Sequence, residues 1–181
     1  TEGNLRAEKG ECYLYRADVY RHSGDIIFIA VPPASLNEDF YFEPEFVKAL
    51  EEYKEALGAN LYLGANFSYH GDDHKKLFRI SQLAARLNIP MVATNDVYYH
   101  VPQRRELQDI LTCIREKCTI QTAGFRLHQN AERYLKPAKE IQRLFREYPD
   151  AIRRTQEIAN ACRFSLNELK YLYPEEITSE G

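Results

Sequence analysis

A chain of 181 residues suffices for one domain with a sizeable core, or for part of a larger one, and its 44% hydrophobic and 28% charged residues are ordinary globular values that exclude disorder as the default. The formal net charge of -3 argues against a basic nucleic-acid cradle spread over the whole surface. No apolar run approaches the roughly 20 residues that a bilayer span requires, so no membrane partner is expected.

Four cysteines occur, Cys12, Cys113, Cys118 and Cys162, and no secretory segment precedes them, which leads to the expectation of a reduced, cytoplasmic protein. Cys113 and Cys118 can be read as half of a metal site, but zinc needs further ligands and no second pair stands near. Buried thiols in a helix and its exit are the reading preferred here. The sequence opens at Thr1 without a Met and stops at Ser179-Glu180-Gly181, from which an excised part of a longer protein is expected.

Residues 1–23 are polar, with Cys12-Tyr13-Leu14-Tyr15 their compact apolar group, and read as a short helix or loop entering the fold. Gly24-Asp25 then opens Ile26-Ile27-Phe28-Ile29-Ala30-Val31, closed by Pro32-Pro33. Such a run between turn residues predicts a strand buried on both faces, as in a parallel sheet. From Pro44 to Leu57, Phe46, Val47, Leu50, Tyr53 and Leu57 recur at helical spacing, with Glu43 and Glu45 near the start and Gly58 past the end. Leu61 to Phe67 is a second, weaker strand, in which Gly64 lowers strand preference or marks a close backbone approach.

Asp72 or Asp73 is expected to cap the next helix, whose Leu77, Ile80, Ala84 and Leu87 form a core-facing stripe. His70 and His74 stand four apart, but Gly71 and the aspartate pair intervene, so they are expected to straddle the helix start and point differently. A third strand, Met91-Val92-Ala93, delivers Thr94, Asn95 and Asp96 to its C-terminal end, the edge where α/β folds place chemistry. An Asn-Asp turn without chemistry is the plainer alternative. Alternating strands and helices predict βαβ units and a parallel sheet, with right-handed crossovers bringing residues 68–70 and 96–100 to one rim.

After Pro102 the pattern becomes helical. Gln103 to Lys117 is expected to turn Leu107, Ile110, Leu111 and Ile114 inward, and Thr119 to Arg133 reads as polar and irregular, bending at Gly124. A helix from Pro137 to Tyr148 buries Ile141, Leu144 and Phe145, and another from Pro149 buries Ile152, Ile158, Ala159 and Cys162. Ser165-Leu166-Asn167-Glu168 has a capping-box pattern for one more turn.

The run Val92-Ala93-Thr94-Asn95-Asp96-Val97 is followed by Leu107-Gln108-Asp109-Ile110-Leu111-Thr112-Cys113-Ile114-Arg115-Glu116. Later come Leu135-Lys136-Pro137, Glu157-Ile158-Ala159 and Cys162-Arg163-Phe164-Ser165-Leu166. Together they resemble the bacterial DNA polymerase III alpha subunit, in its PHP (polymerase and histidinol phosphatase) domain. With Arg6-Ala7-Glu8-Lys9-Gly10-Glu11-Cys12, the pattern is closer to the error-prone, translesion branch. Matching segments run from about Arg6 to about Glu175.

This resemblance implies a distorted α/β barrel with metal ligands at its C-terminal rim, drawn from an early His-x-His, a Glu, a mid-chain His and a late Asp-x-His. Asp96 matches the last motif's aspartate, and Tyr98 takes its histidine's place; a phenol with a pKa of about 10 is a poor ligand for a divalent metal. The mid-chain histidine aligns with Ser68, two positions from His70, and His100 is likewise displaced. Candidate metal residues are therefore Asp96 and His70, in an incomplete site, and no catalytic residue is assigned. The His-x-His motif is missing and would precede Thr1, and the polymerase palm would begin beyond Glu176.

The implied fold class is α/β: a partial PHP-type distorted (β/α) barrel with parallel strands, spanning residues 1–100, followed by a helical C-terminal layer, 101–181, leading toward the absent palm. The implied parent is an error-prone DNA-directed DNA polymerase, a nucleotidyltransferase of translesion synthesis and repair. The chain itself would be an inactive structural and docking module. No cofactor is expected in the chain, and Mg, Mn or Zn in the intact parent. Its partners would be the palm and thumb of the same polypeptide, DNA through the parent, and a second copy pairing at an open sheet edge. Two alternatives stand beside this: a metal-dependent PHP-class phosphoesterase using Asp96 and His70, and a helical interaction module whose Arg104-Arg105 and Arg153-Arg154 pairs contact phosphates.

Overall fold

The computed structural model describes residues 2–169. The end of the resemblance, from Lys170 to Glu175, and the expected start of the palm lie outside the described residues. Two short helices open the fold, α1 (Glu2–Leu5) and α2 (Arg16–Arg21). They are tied by buried Asp18, which pairs with Arg6 and accepts the Tyr15 N–H at 2.9 Å. The Arg6 guanidinium, and then the Tyr15 amide, hold the Asp18 carboxyl well below the usual carboxylate range.

The sheet follows as two βαβ units: β1 (Phe28–Ala30), α3 (Pro44–Leu57), β2 (Leu61–Ala65), α4 (Asp73–Arg86) and β3 (Met91–Ala93). All pairing is parallel in the order β1-β2-β3, with Leu63 opposite both Ala30 and Met91. Alternation sends Leu61, Leu63 and Ala65 to one face, where they join Leu50 and Leu57 of α3 and Leu77, Ile80 and Ala84 of α4 in one core. Both crossover helices therefore lie on the same face, as right-handed connections between sequential neighbours require.

Sequential winding on one face explains a difference at β1. Its run was expected to be buried on both faces, yet Ile26, Ile29 and Val31 are exposed while Phe28 and Ala30 pack on the core. As an edge strand with helices on one side, it keeps its second side chain on the uncovered face. On that face Gly64 fulfils the close approach read from the sequence. A Cβ there would lie 3.1 Å from Ile29 Cγ2 and 3.3 Å from the Ala30 carbonyl oxygen.

The rest is helical: α5 (Arg105–Arg115), α6 (Ile120–Ala123), α7 (Ala138–Leu144) and α8 (Pro149–Ala161). Leu144, Phe145 and Ala151 complete the sheet's core, and α8 packs along β3, where Arg154 donates to the Met91 carbonyl oxygen at 3.0 Å. One edge of the sheet is thus covered. On α8 the buried positions are Ala151 and, in part, Ile152 and Ile158, whereas Ala159 and Cys162 face solvent, against expectation. Contact with the sheet is made by the first turns of α8, and among the described residues nothing covers its far end. Ser165 closes the described chain by accepting the Asn167 N–H at 3.3 Å.

A larger correction concerns α5. Leu107, Ile110, Leu111 and Ile114, expected to point inward, are between 46% and 68% exposed, and Thr112 and Cys113 are its buried residues. The helix packs mainly on α6 and on the turn before it rather than on the sheet. Its apolar stripe is real, and nothing among the described residues covers it. Among the described residues, no helix is long and apolar enough to cross a membrane.

Candidate functional site: the rim at the strand ends

β2 and β3 release two loops at their C-terminal ends. In the first, the Asp73 carboxylate, at a residue only 6% exposed, accepts N–H groups from Ser68 (2.7 Å), His70 (2.8 Å) and Gly71 (3.2 Å). Asp73 thus organises the loop, while Asp72 occupies the N-cap position without a side-chain hydrogen bond. In the second, Thr94 continues the ladder, its N–H and hydroxyl both donating to the Ala65 carbonyl oxygen, at 2.7 and 3.1 Å. Each loop holds a non-glycine residue in the left-handed region, Tyr69 (φ 56°) and Asp96 (φ 45°). Such geometry persists only where surrounding contacts over-determine it.

Those contacts come from residues 130–136, which begin within the stretch Thr119 to Arg133 that reads as polar and irregular. Asn130 Nδ2 donates to the carbonyl oxygens of Ser68 (2.7 Å) and Tyr69 (3.2 Å) in the first loop. Asn95 Nδ2 donates to the Tyr134 carbonyl oxygen at 3.0 Å. The Tyr98 N–H donates to the Arg133 carbonyl oxygen at 2.8 Å and the Leu135 N–H to that of Tyr99 at 3.0 Å, giving a parallel bridge between Tyr99 and Tyr134. One strap therefore fastens both strand-end loops.

The strap also brings cations. Arg133 pairs with the Asp96 carboxylate, and its guanidinium lies 5.1 Å from the Tyr98 ring centre. Tyr98 in turn packs edge-on to His128 at 4.8 Å. Burial, then the nearby Arg133 charge, pushes the His128 pKa down. Lys136, its side chain 1% exposed, donates to the Glu132 carbonyl oxygen and lies 3.5 Å from the Glu132 carboxylate and 4.6 Å from the Tyr134 ring centre. Lys76 of α4 is half-buried, which lowers its pKa, and feels the charges of Asp72, Asp73 and Asp96. At the outer end, Tyr69 donates its hydroxyl proton to Glu140 at 2.8 Å and accepts from Arg143 at 2.7 Å. Arg143, then Tyr69, holds the Glu140 carboxyl down at about 2.

Of the residues singled out from the sequence, Asp96 sits at the rim with Arg133 as its partner. His70 is exposed and contributes its backbone N–H to Asp73. His74 packs edge-on to Phe67 at 5.2 Å, and His100 is exposed. The two histidines do straddle the start of α4. Among the described residues, no three His, Cys, Asp or Glu side chains gather as a metal-binding group. A divalent ion at Asp96 would first have to displace a guanidinium, so the donor set here does not fit a metal. Of the arginine pairs, Arg105 donates to the His128 carbonyl oxygen at 2.6 Å, Arg153 pairs with Asp150 and Glu157, and Arg154 holds Met91, while Arg104 is exposed. Sequence reasoning missed Asn130, Arg133 and Lys136, whose one signal was the density of hydrogen-bonding side chains in an aperiodic stretch.

The fold and rim define a sequentially wound parallel α/β segment whose strand-end loops are fastened by residues 130–136, with Asp96 paired to Arg133. No protein-family model matches the chain. Over its whole length, however, it is a homologue of one part of the error-prone DNA polymerases. It is 44% identical over 180 residues to the error-prone DNA polymerase of Rhodopseudomonas palustris (strain BisB5), covering 99% of this chain and 16% of that protein. It is 43% identical over 182 residues to that of Brucella suis biovar 1 and 41% identical over 181 residues to that of Caulobacter vibrioides, in each case covering 100% of this chain and 16% of the relative. The chain spans about a sixth of the length of the curated relatives it matches.

Proposed function

We propose that this chain is the later part of the PHP domain of an error-prone DNA polymerase, a structural and docking module without the polymerase active site. Template-directed DNA synthesis, and its use in translesion repair, belong on this reading to the larger polypeptide. The sheet supports it by its winding: sequential strands with both helices on one face are the pattern of a barrel wall. Support for a docking role comes from α5, whose exposed stripe of Leu107, Ile110, Leu111 and Ile114 fits an internal surface of a longer chain better than a solvent face.

The observation that carries the reading is the pairing of Arg133 with Asp96. Where the resemblance implies metal-binding groups, this chain places a guanidinium and a tyrosine ring. A fixed cation neutralises the carboxylate but supplies neither an open coordination position nor an activated water, both of which metal-assisted hydrolysis needs.

The test is primer extension and phosphoesterase assays on the 181-residue chain and on a polymerase containing it. The reading predicts that the chain alone extends no primer and releases no phosphate, and that Asp96→Asn leaves the polymerase's extension rate within about twofold, below the 1 kcal/mol that a half-exposed ion pair is worth. Manganese- or zinc-dependent hydrolysis lost in Asp96→Asn would overturn it.

A further inference from the structure

The end of α5 carries a feature that the rim does not use. Lys117 is in the left-handed region (φ 51°), its N–H donates to the Ile114 carbonyl oxygen at 3.3 Å, and the Cys118 N–H donates to the Cys113 carbonyl oxygen at 3.0 Å. These two bonds are the 5→2 and 6→1 pairs of a Schellman motif, with Lys117 at C′ and Cys118 at C″. That motif habitually brings the side chains of C3 and C″ together, in place of the usual apolar pair. Here C3 is Cys113, so the helix terminus itself apposes two thiols. Cys113 is buried and Cys118 is half-buried.

We propose that Cys113 and Cys118 are an oxidation site: a dithiol preorganised by the helix terminus to close into a disulfide when it meets a peroxide. The direct backbone hydrogen bond between the two residues, at 3.0 Å, draws their Cα atoms toward the range of about 4.4–6.8 Å that a disulfide requires. Cys118, the more exposed sulfur, is the one a peroxide reaches. Its thiolate takes one oxygen, the O–O bond breaks, and the departing hydroxide takes up a proton to leave as water. Cys113 sulfur then attacks Cys118 sulfur; the S–S bond forms, the S–O bond breaks, and the second hydroxide leaves as water with the Cys113 proton. Two thiols lose two protons and two electrons, and hydrogen peroxide takes them up as two waters.

Burial pushes the Cys113 thiol up, with the neighbouring Cys118 adding to the shift. That agrees with Cys113 resolving the oxidised Cys118 rather than being attacked first. Cys12 and Cys162 are exposed and serve as internal comparators in the same chain. The closed ring would pin the turn at Lys117 and with it the C-terminal end of α5. This inference stands on the local geometry alone and does not depend on the function proposed above.

The test is the 181-residue chain treated with hydrogen peroxide, alkylated and digested with trypsin. Cleavage at Arg115 and Lys117 separates the two cysteines unless a disulfide joins them. The expected result is a cross-linked pair of peptides, one ending at Arg115 and one beginning at Cys118, two hydrogens lighter than their sum. In Cys118→Ser, Cys113 should stay unmodified while Cys12 and Cys162 react. In glutathione buffers the native chain should form the bridge at a disulfide-to-thiol ratio about tenfold lower than the chain in urea, a potential lower by about 30 mV. Separate, singly oxidised Cys113 and Cys118 peptides would overturn the proposal, as would equal ratios in the native and urea-treated chain.

Discussion

Replacing Asp73 by alanine is the most informative single perturbation of the rim. The carboxylate accepts N–H groups at 2.7, 2.8 and 3.2 Å from a side chain that is almost fully buried. A hydrogen bond to a charged acceptor is worth about 1.5–3 kcal/mol, and an amide left unpartnered in a buried site costs a comparable amount. His70 and Gly71 are exposed, so water replaces part of what their amides lose, whereas Ser68 is half-buried. The expected cost of Asp73→Ala is therefore about 3 kcal/mol, toward the upper end for single substitutions. Asp73→Asn keeps one acceptor oxygen and should cost about half as much. With a urea slope of about 2 kcal/mol/M, the unfolding midpoint of Asp73→Ala falls by about 1.5 M, followed by circular dichroism. Asp72→Ala is the matched control, because its side chain makes no cap bond, and should move the midpoint by less than about 0.25 M. Equal shifts for the two variants, or a shift below about 0.3 M for Asp73→Ala, would refute the assignment of the loop to Asp73.

Three further outcomes are expected. Glu140 has its pKa lowered from 4.5 to about 2, so the unfolded chain binds its proton more readily than the folded one. The stability this contributes is complete above about 4.5 and is lost as the pH falls toward about 2. Acid titrations should therefore show a shallower decline of stability for Glu140→Gln in that window; an unchanged slope would contradict the link to Arg143 and Tyr69. Gly64→Val forces branched methyls against Ile29 and the Ala30 carbonyl and should destabilise by about 1–3 kcal/mol, with thermal melts deciding. Finally, α8 and Arg154 cover β3 while β1 is the other edge, so the chain should self-associate at high concentration through β1. Light scattering should detect a dimer that Ile29→Lys abolishes, and a strictly monomeric wild type would count against it.

Local chemistry was legible in the sequence where punctuation and period agreed. Pro44 and Gly58 bracket α3 at the limits the spacing predicts, and Met91 to Ala93 is the buried strand it promised. The parallel alternation was legible for the same reason. The outward turn of α5 was not: amphipathic spacing says that a helix has a face to cover, but not whether the covering surface lies in the same chain. Ile29 teaches a similar lesson, since a continuous apolar run resembles a central strand until the strand order places it at an edge. The strap was least legible of all. Asn130 meets Ser68 across 62 residues and Arg133 meets Asp96 across 37, and no local period encodes such pairings. Asp96 itself was found from its position after β3, and its partner was not.

We propose that Asp96 serves the rim as the partner of Arg133 and not as a metal ligand. The direct measurement is calorimetric titration of the chain with Mn²⁺ and with Zn²⁺, on the wild type and on Asp96→Asn. The account predicts no stoichiometric binding that depends on Asp96, and the same heats for both proteins. One equivalent of either ion bound by the wild type and lost in Asp96→Asn would contradict it.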